Sequence, residues 1–415
     1  MLKNIIMKGA SAAVPEVSSW VAWSAYSSSG GALYATCVDS DGNCYIGGTY
    51  TDTISRSFIA KYTSTGVLLW SRRLSGTVLD TAYGIAVDSS ANVYIVGANH
   101  GVDNREAYIA KYNTSGTLQW QRIIYGAAVT DYGYAIAVDT SGNCYIGGAT
   151  NNVSFVAKYN TSGTIQWQRT LDGTGSDAVL ALAVDASANV YIAGYTGGGG
   201  SAVIAKYNTS GTIQWQRTLA GGSTTFYGVA IDASGNVYVG GSNYSGTFRF
   251  VIAKYNTSGT IQWQRTLSAA GSSHARAVCV DSAGAVYVFG LNTNTNADFL
   301  VAKYNTSGTL QWQNKLYGPG ADQGYGIAVT STGSLYICGQ SGNSVPTNSF
   351  FLAKLPADGT LTGTYGPYTY AAAALTDAAG SLTDTAGTLT DAAGTMTDAA
   401  GAMTATNLED LYVIS

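Results

Sequence analysis

The chain has 415 residues, of which only 11% are charged, with 52 glycines, 30 tyrosines, 5 prolines and a formal net charge of −4. A protein that grips nucleic acid concentrates Lys and Arg on one face, so this balance excludes that class. Abundant Gly and Tyr with few charges fits many short strands joined by tight turns, not long helices.

The start, Met1 to Lys8, holds an apolar stretch too short for the core of a secretory leader. No run approaches the ~18 apolar residues that cross a bilayer, so no membrane insertion is expected. Residues 1–17 are read as an N-terminal arm, and release by a route other than that leader, or travel as part of a particle, is the expectation.

A repeat then takes over. Ala-Lys-Tyr-Asn-Thr-Ser-Gly-Thr, an apolar residue and Gln-Trp-Gln recur around Lys111, Lys158, Lys206, Lys254 and Lys303, with looser copies around Lys61 and Lys354. The closing Trp falls at 23, 70, 120, 167, 215, 263 and 312, a period of 47 to 50 residues that points to a propeller. In the third copy, Tyr134 to Val138, Cys144 to Gly148, Ser154 to Tyr159 and Ile165 to Leu171 read as four short antiparallel strands, a to d. The intervening Asp139-Thr-Ser-Gly-Asn143 and Asn160-Thr-Ser-Gly-Thr164 place Gly late after Asp or Asn, which suits a type I turn followed by a left-handed residue.

Ala-Val-Asp-x-Ser-Gly-Asn-x-Tyr-Ile-x-Gly, followed by Phe-Val-Ala-Lys-Tyr-Asn-x-Ser-Gly-Thr-x-x-Trp, resembles the bacterial beta-propeller repeat family SBBP over residues 33 to about 365. The resemblance implies the fold and a frequent extracellular or surface setting, and it brings no shared catalytic residue.

Counting sets the ring size. The a–b turn acid occurs at 39, 88, 139, 185, 232 and 281, with Thr330 in the seventh place, and the strand-c Lys also occurs seven times. The seventh copy has Gly363 where its strand-d Trp should be, while Trp23 precedes the first copy. The expected fold is all-β: a seven-bladed propeller of four-stranded antiparallel blades over 18–366, closed by an N-terminal strand carrying Trp23. Closure removes exposed sheet edges.

Several repeated residues imitate sites. The seven Lys, with Arg72, Arg122, Arg169, Arg217 and Arg265, could form a cationic ring, but their stems are better read as covering apolar surface and pairing with turn acids. Asp39-Ser-Asp41-Gly-Asn43 comes nearest to a calcium loop yet lacks a downstream bidentate acid, so no metal and no cofactor is expected. The Asn-Thr-Ser sequons at Asn113, Asn160, Asn208, Asn256 and Asn305 double as c–d turns and are read as turn residues. Cys37, Cys44, Cys144, Cys279 and Cys338 replace small or apolar strand residues with no CxxC pair, so free thiols are expected, a Cys37–Cys44 bridge being the alternative.

Because strands alternate in direction, the uniform a–b and c–d turns share one face of the disc, and the variable b–c and d–a loops share the other. Recognition belongs on variable loops held by a rigid scaffold. Candidate binding residues there are Tyr50, Arg56, His100, Asp103, Arg105, Tyr195, Tyr244, Arg249, His274 and Arg276, because Tyr and Arg anchor interfaces and aromatic faces suit sugar rings. The two histidines lie on different copies, and no HExxH, nucleophile elbow or phosphate loop is present, so no catalytic residue is assigned.

After Tyr370 the sequence becomes heptads, Leu375-Thr-Asp-Ala-Ala-Gly-Ser and its successors at Leu382, Leu389, Met396 and Met403. Regular Gly and a single apolar position per heptad argue against a coiled coil. Residues 367–415 are read as a linker, or as a stalk or attachment segment.

The function expected is a non-enzymatic structural or binding protein on a virion, such as a phage tail fibre, spike or capsid decoration. Its expected partners are other subunits, met through the terminal segments, and a cell-surface glycan, met at the variable face; a nucleic acid is not expected. A bacterial surface adhesin or lectin-like module is the alternative, and a propeller enzyme acting on polysaccharide is the second.

Overall fold

The computed structural model describes residues 20–24, 31–51, 54–75, 79–100, 105–125, 130–198, 200–268, 271–293, 296–318, 320–342, 349–365, 368–379, 381–386, 390–393, 397–400 and 404–407. Among them the protein is all-β: seven four-stranded antiparallel blades. Blade 3 comprises Asp131–Val138, Cys144–Thr150, Val153–Tyr159 and Ile165–Asp172, each paired with its chain neighbour.

Local chemistry forms each hairpin. Asp139 Oδ1 accepts the backbone N–H of Ser141 and of Asn143, both at 2.9 Å, while Oδ2 accepts Asn143 Nδ2 at 2.8 Å and the Tyr145 hydroxyl at 3.0 Å. In the c–d turn, Asn160 Oδ1 accepts the N–H groups of Ser162 and Thr164, and Gly163 takes φ +74°. Only glycine adopts that left-handed conformation without cost. The Asp39 copy of the acid turn is saturated in the same way. Burial alone would raise its pKa, but hydrogen bonds from Asn43 and Tyr45, with Lys61 nearby, hold it below the ordinary carboxylate value.

The core is divided into seven apolar clusters, one between each pair of adjacent blades, including the pair formed by blades 7 and 1. At the outer strands the repeated phrase joins blades together. Trp120 Nε1 donates to Thr161 O of the next blade at 3.0 Å, and Arg122 Nε donates to Gly163 O at 2.8 Å. The same two bonds recur from Trp70 and Arg72, Trp167 and Arg169, Trp215 and Arg217, and Trp263 and Arg265. Each repeated Lys ammonium lies over a strand-b Tyr ring, as Lys158 does over Tyr145 at 5.0 Å. The five cysteines are free thiols.

Closure uses the N-terminal strand Trp20–Ser24, which pairs antiparallel with Ser349–Pro356 of blade 7. The register corrects one expectation. In blades 1 to 6 the strand-c Lys stands opposite the strand-d Trp, as Lys158 does opposite Trp167; Lys354 stands opposite Trp20, and Trp23 opposite Phe351. Trp20 therefore holds the place expected for Trp23. The two tryptophans are three residues apart, and only the pairing partner distinguishes them.

The tail does not stand away from the ring. Tyr368–Ala372, Thr376–Ala379, Thr383–Ala386, Thr390–Ala393, Thr397–Ala400 and Thr404–Asn407 add a strand to the outer edges of blades 6, 5, 4, 3, 2 and 1 in turn. One heptad advances one blade, and the register repeats: Arg265 faces Ala379, Arg217 faces Ala386, and Arg169 faces Ala393. Leu375 and Leu382 wedge into the clusters of blades 5–6 and 4–5, and their carbonyls accept from Gln313 and Gln264. The seven-residue period is thus a blade-to-blade step.

Candidate recognition face and axial tyrosine ring

Strand a is the innermost strand, and in every blade it carries one bulged residue where pairing with strand b slips. These residues are Tyr34, Tyr83, Tyr134, Leu180, Tyr227, Arg276 and Tyr325. A bulge re-aims a side chain out of the alternating pattern. All seven are half-buried. They touch across blades: Tyr34 lies 5.5 Å from Tyr83 and 5.0 Å from Tyr325 between ring centroids, and Tyr83 lies 5.4 Å from Tyr134. Opposite them the Arg276 guanidinium sits 4.4 Å from the centre of the Tyr227 ring. The result is an axial ring of five tyrosines, one leucine and one arginine. Burial, with Tyr325 beside it, pushes the Tyr34 hydroxyl up to about 12, and burial raises Tyr83, Tyr134 and Tyr325 as well. These hydroxyls stay protonated at neutral pH and can donate hydrogen bonds.

The ring lies nearer the variable loops than the a–b turns, two to four residues from the start of each strand a. Tyr132, two residues nearer that face, stacks on Tyr134 at 5.3 Å, and Arg105 donates to its hydroxyl while lying over its ring. Tyr195, half-exposed at the end of its strand, is raised by burial, by Tyr227 and by Asp177. A satellite patch lies at blades 5 and 6: exposed Tyr244 packs on Phe248 at 4.9 Å, and Phe248 on His274 at 4.4 Å.

Buried acids fix the loops around the mouth. Asp177, 1% exposed, accepts Gly173 N–H from the d–a loop at 2.7 Å and Gly197 N–H from the b–c loop at 3.1 Å. Asp322, equally buried, accepts Gly342 N–H. Replacing Asp177 with Ala leaves the Gly173 and Gly197 N–H groups without their charged acceptor and is expected to cost about 1–3 kcal/mol, measured by chemical denaturation.

Of the ten residues singled out by sequence, Arg276 belongs to the axial ring, Arg105 and Tyr195 lie beside it, and His274 belongs to the satellite patch next to Arg276. Tyr244 is exposed on the satellite patch. Arg249 is half-buried on the adjoining hairpin, its backbone paired with Asn243. Tyr50 is buried in the cluster between blades 7 and 1, so it serves packing rather than presentation. Arg56 pairs through its backbone with Tyr50 on blade 1, away from the ring. His100 pairs through its backbone with Arg105; its side chain, and Asp103, lie outside the described residues. Sequence reading passed over Tyr34, Tyr83, Tyr132, Tyr134, Tyr227 and Tyr325. A signal was present for the bulged positions: each falls five residues before the a–b turn acid or Thr330.

His274 Nδ1 lies 3.1 Å from Ser242 Oγ, a pairing that resembles a nucleophile and its base. Two facts weaken that chemistry. Ser242 is 2% exposed, and burial together with Arg276 lowers His274 to about 4, too weak a base to activate a hydroxyl at neutral pH. Cavities on the opposite face lie between a–b turns, as between Asp185–Ser187 and Ala233–Gly235, where the acids already serve the turns.

No curated protein matches the chain. Among solved structures, a Lactobacillus plantarum protein is similar at TM-score 0.51 and 15% identity over 75% of this chain and 95% of that one. Sqt1 from Chaetomium thermophilum is similar at TM-score 0.49 and 13% identity over 74% and 79%. The periplasmic gluconolactonase PpgL of Pseudomonas aeruginosa is similar at 0.49 and 13% over 68% and 84%. At such identity likeness speaks to fold alone. Residues 119–155, from strand d of blade 2 into strand c of blade 3, match the family model SBBP, described as a beta-propeller repeat.

Proposed function

We propose that this chain is a non-enzymatic recognition protein that binds a carbohydrate chain at the tyrosine-lined axial mouth of its loop-bearing face. The observation that carries the reading is the ring that holds Tyr34, Tyr83, Tyr134, Tyr227, Tyr325 and Arg276, with Arg105 at its rim. Half-exposed aromatic faces with protonated hydroxyls offer a sugar both a stacking surface and hydrogen bonds. Loops pinned by buried acids would meet the ligand with little ordering cost. A virion or a bacterial cell surface is the setting in which such a head would meet cell-surface glycans, with other subunits as its structural partners.

The experiment is a glycan array followed by product analysis. Retention of a glycan with no cleavage products is expected, and the Tyr83→Ala/Tyr134→Ala double variant is expected to weaken it about 10- to 100-fold. Turnover of the retained polysaccharide would move the chain to the enzyme class, and retention that survives the double variant would sink the axial site.

A further inference from the structure

Six of the seven bulged positions on strand a hold tyrosine or leucine; blade 6 alone places a cation there, Arg276. Its guanidinium lies over the Tyr227 ring of blade 5, 4.4 Å from the centre. Its charge also acts on the Tyr325 hydroxyl of blade 7 and on His274 of its own strand. With one face against a tyrosine, a guanidinium offers its N–H groups at its edge, in its own plane. Among the described residues Arg276 makes no hydrogen bond or ion pair, and its Nε is enclosed without a hydrogen-bond partner. The side chain is half-buried, so it has lost part of its hydration with no acceptor in exchange. Acids on this side of the disc are committed elsewhere. Asp177 and Asp322 accept loop N–H groups, Asp298 pairs with Lys315 at 2.8 Å, and Asp80 and Asp131 are 1% exposed.

Resting on the carbohydrate reading above, we propose that the axial site selects an acidic sugar, whose carboxylate pairs with Arg276 while its ring lies against the neighbouring tyrosines. A planar carboxylate meets a guanidinium edge through two parallel hydrogen bonds. One guanidinium offsets one negative charge, which suits a carboxylate better than a phosphate monoester carrying about −1.5 to −2 at neutral pH. The protonated tyrosine hydroxyls add neutral donors for the sugar's other oxygens. Arg105, across the ring on blade 2, already donates to the Tyr132 hydroxyl and lies over that ring. It therefore adds attraction at a distance, and discrimination falls to Arg276.

The test is an array on which carboxylate-bearing glycans, oligogalacturonate and sialyllactose among them, each sit beside their carboxyl-reduced neutral counterparts. The unaltered chain is expected to retain the acidic member about 10-fold better or more, by a margin that narrows as salt rises. Arg276→Gln is expected to level the two members. Arg276→Lys is expected to restore only part of the margin, because an ammonium lacks the planar fork. Equal retention of both members by the unaltered chain would overturn the acid selectivity, a comparison that depends on no variant folding. So would a margin that persists in Arg276→Gln, or a preference for sulfated or phosphorylated members over carboxylated ones. If the Tyr83→Ala/Tyr134→Ala variant still weakens retention in those cases, the axial site stands and only its acidic ligand falls. Retention untouched by that double variant, or an array that retains nothing, removes the axial site and this proposal together.

Discussion

A chain lacking Trp20–Ser24 is expected to lose its single cooperative unfolding transition and to associate in solution. Five residues of antiparallel ladder hold this strand to Ser349–Pro356. At about 1 kcal/mol net for each hydrogen bond, the ladder alone is worth roughly 5 kcal/mol, a large share of a typical domain's stability. The strand it uncovers carries Phe350, Phe351 and Leu352, buried in the clusters on both sides of blade 7. Opening the ring there exposes apolar surface and an unpaired strand edge at once, the combination that templates edge-to-edge association. Circular dichroism melting with light scattering reads both effects. A melting temperature within about 2 °C of the full chain and a clear solution would contradict closure by this strand.

The second large effect is expected from ending the chain at Tyr365, which removes the six tail strands while leaving the four-stranded blades. The burial that Tyr370, Leu375 and Leu382 contribute against the blades goes with them, at about 1.5–3 kcal/mol each. Gln264 and Gln313 lose their carbonyl acceptors. The propeller is expected to persist, because its seven interblade clusters are built chiefly from blade residues, but to melt about 10 °C lower and to associate through its newly uncovered outer strands. Sedimentation across a concentration series checks the association. An unchanged melting temperature and a sharp unassociated species would mean that the tail contributes nothing to the ring.

These outcomes separate what the residues announced from what only assembly supplied. The seven blades and their turns were legible because the turns rest on local chemistry: Asp139 and Asn160 make theirs with neighbours two and four residues away. The closing tryptophan was misplaced because Trp20 and Trp23 are equally good strand residues, and pairing to Lys354 is a contact between the two ends of the chain. The axial tyrosines were passed over because a bulge breaks the alternation by which inward and outward residues are told apart. Tyr83-Gly-Ile-Ala-Val87 reads as an ordinary strand until Tyr83 is seen beside Tyr34 and Tyr134. The heptads were read as a linker or stalk for a related reason. Their period is that of a coiled coil, but regular Gly and a single apolar position per heptad argue against one, and here seven residues acquire meaning as the distance between neighbouring blades.

The central claim is that recognition takes place at the tyrosine-lined mouth and not on the uniform turns. It is tested most directly by hydrogen-exchange footprinting of the protein with a glycan that it retains on the array. Protection is predicted around Tyr83, Tyr132–Tyr134, Tyr227 and Tyr325, with none at the Asp39–Asn43 and Asn160–Thr164 turns. A footprint on those turns, or one confined to the outer strands and the tail strands, would contradict the account.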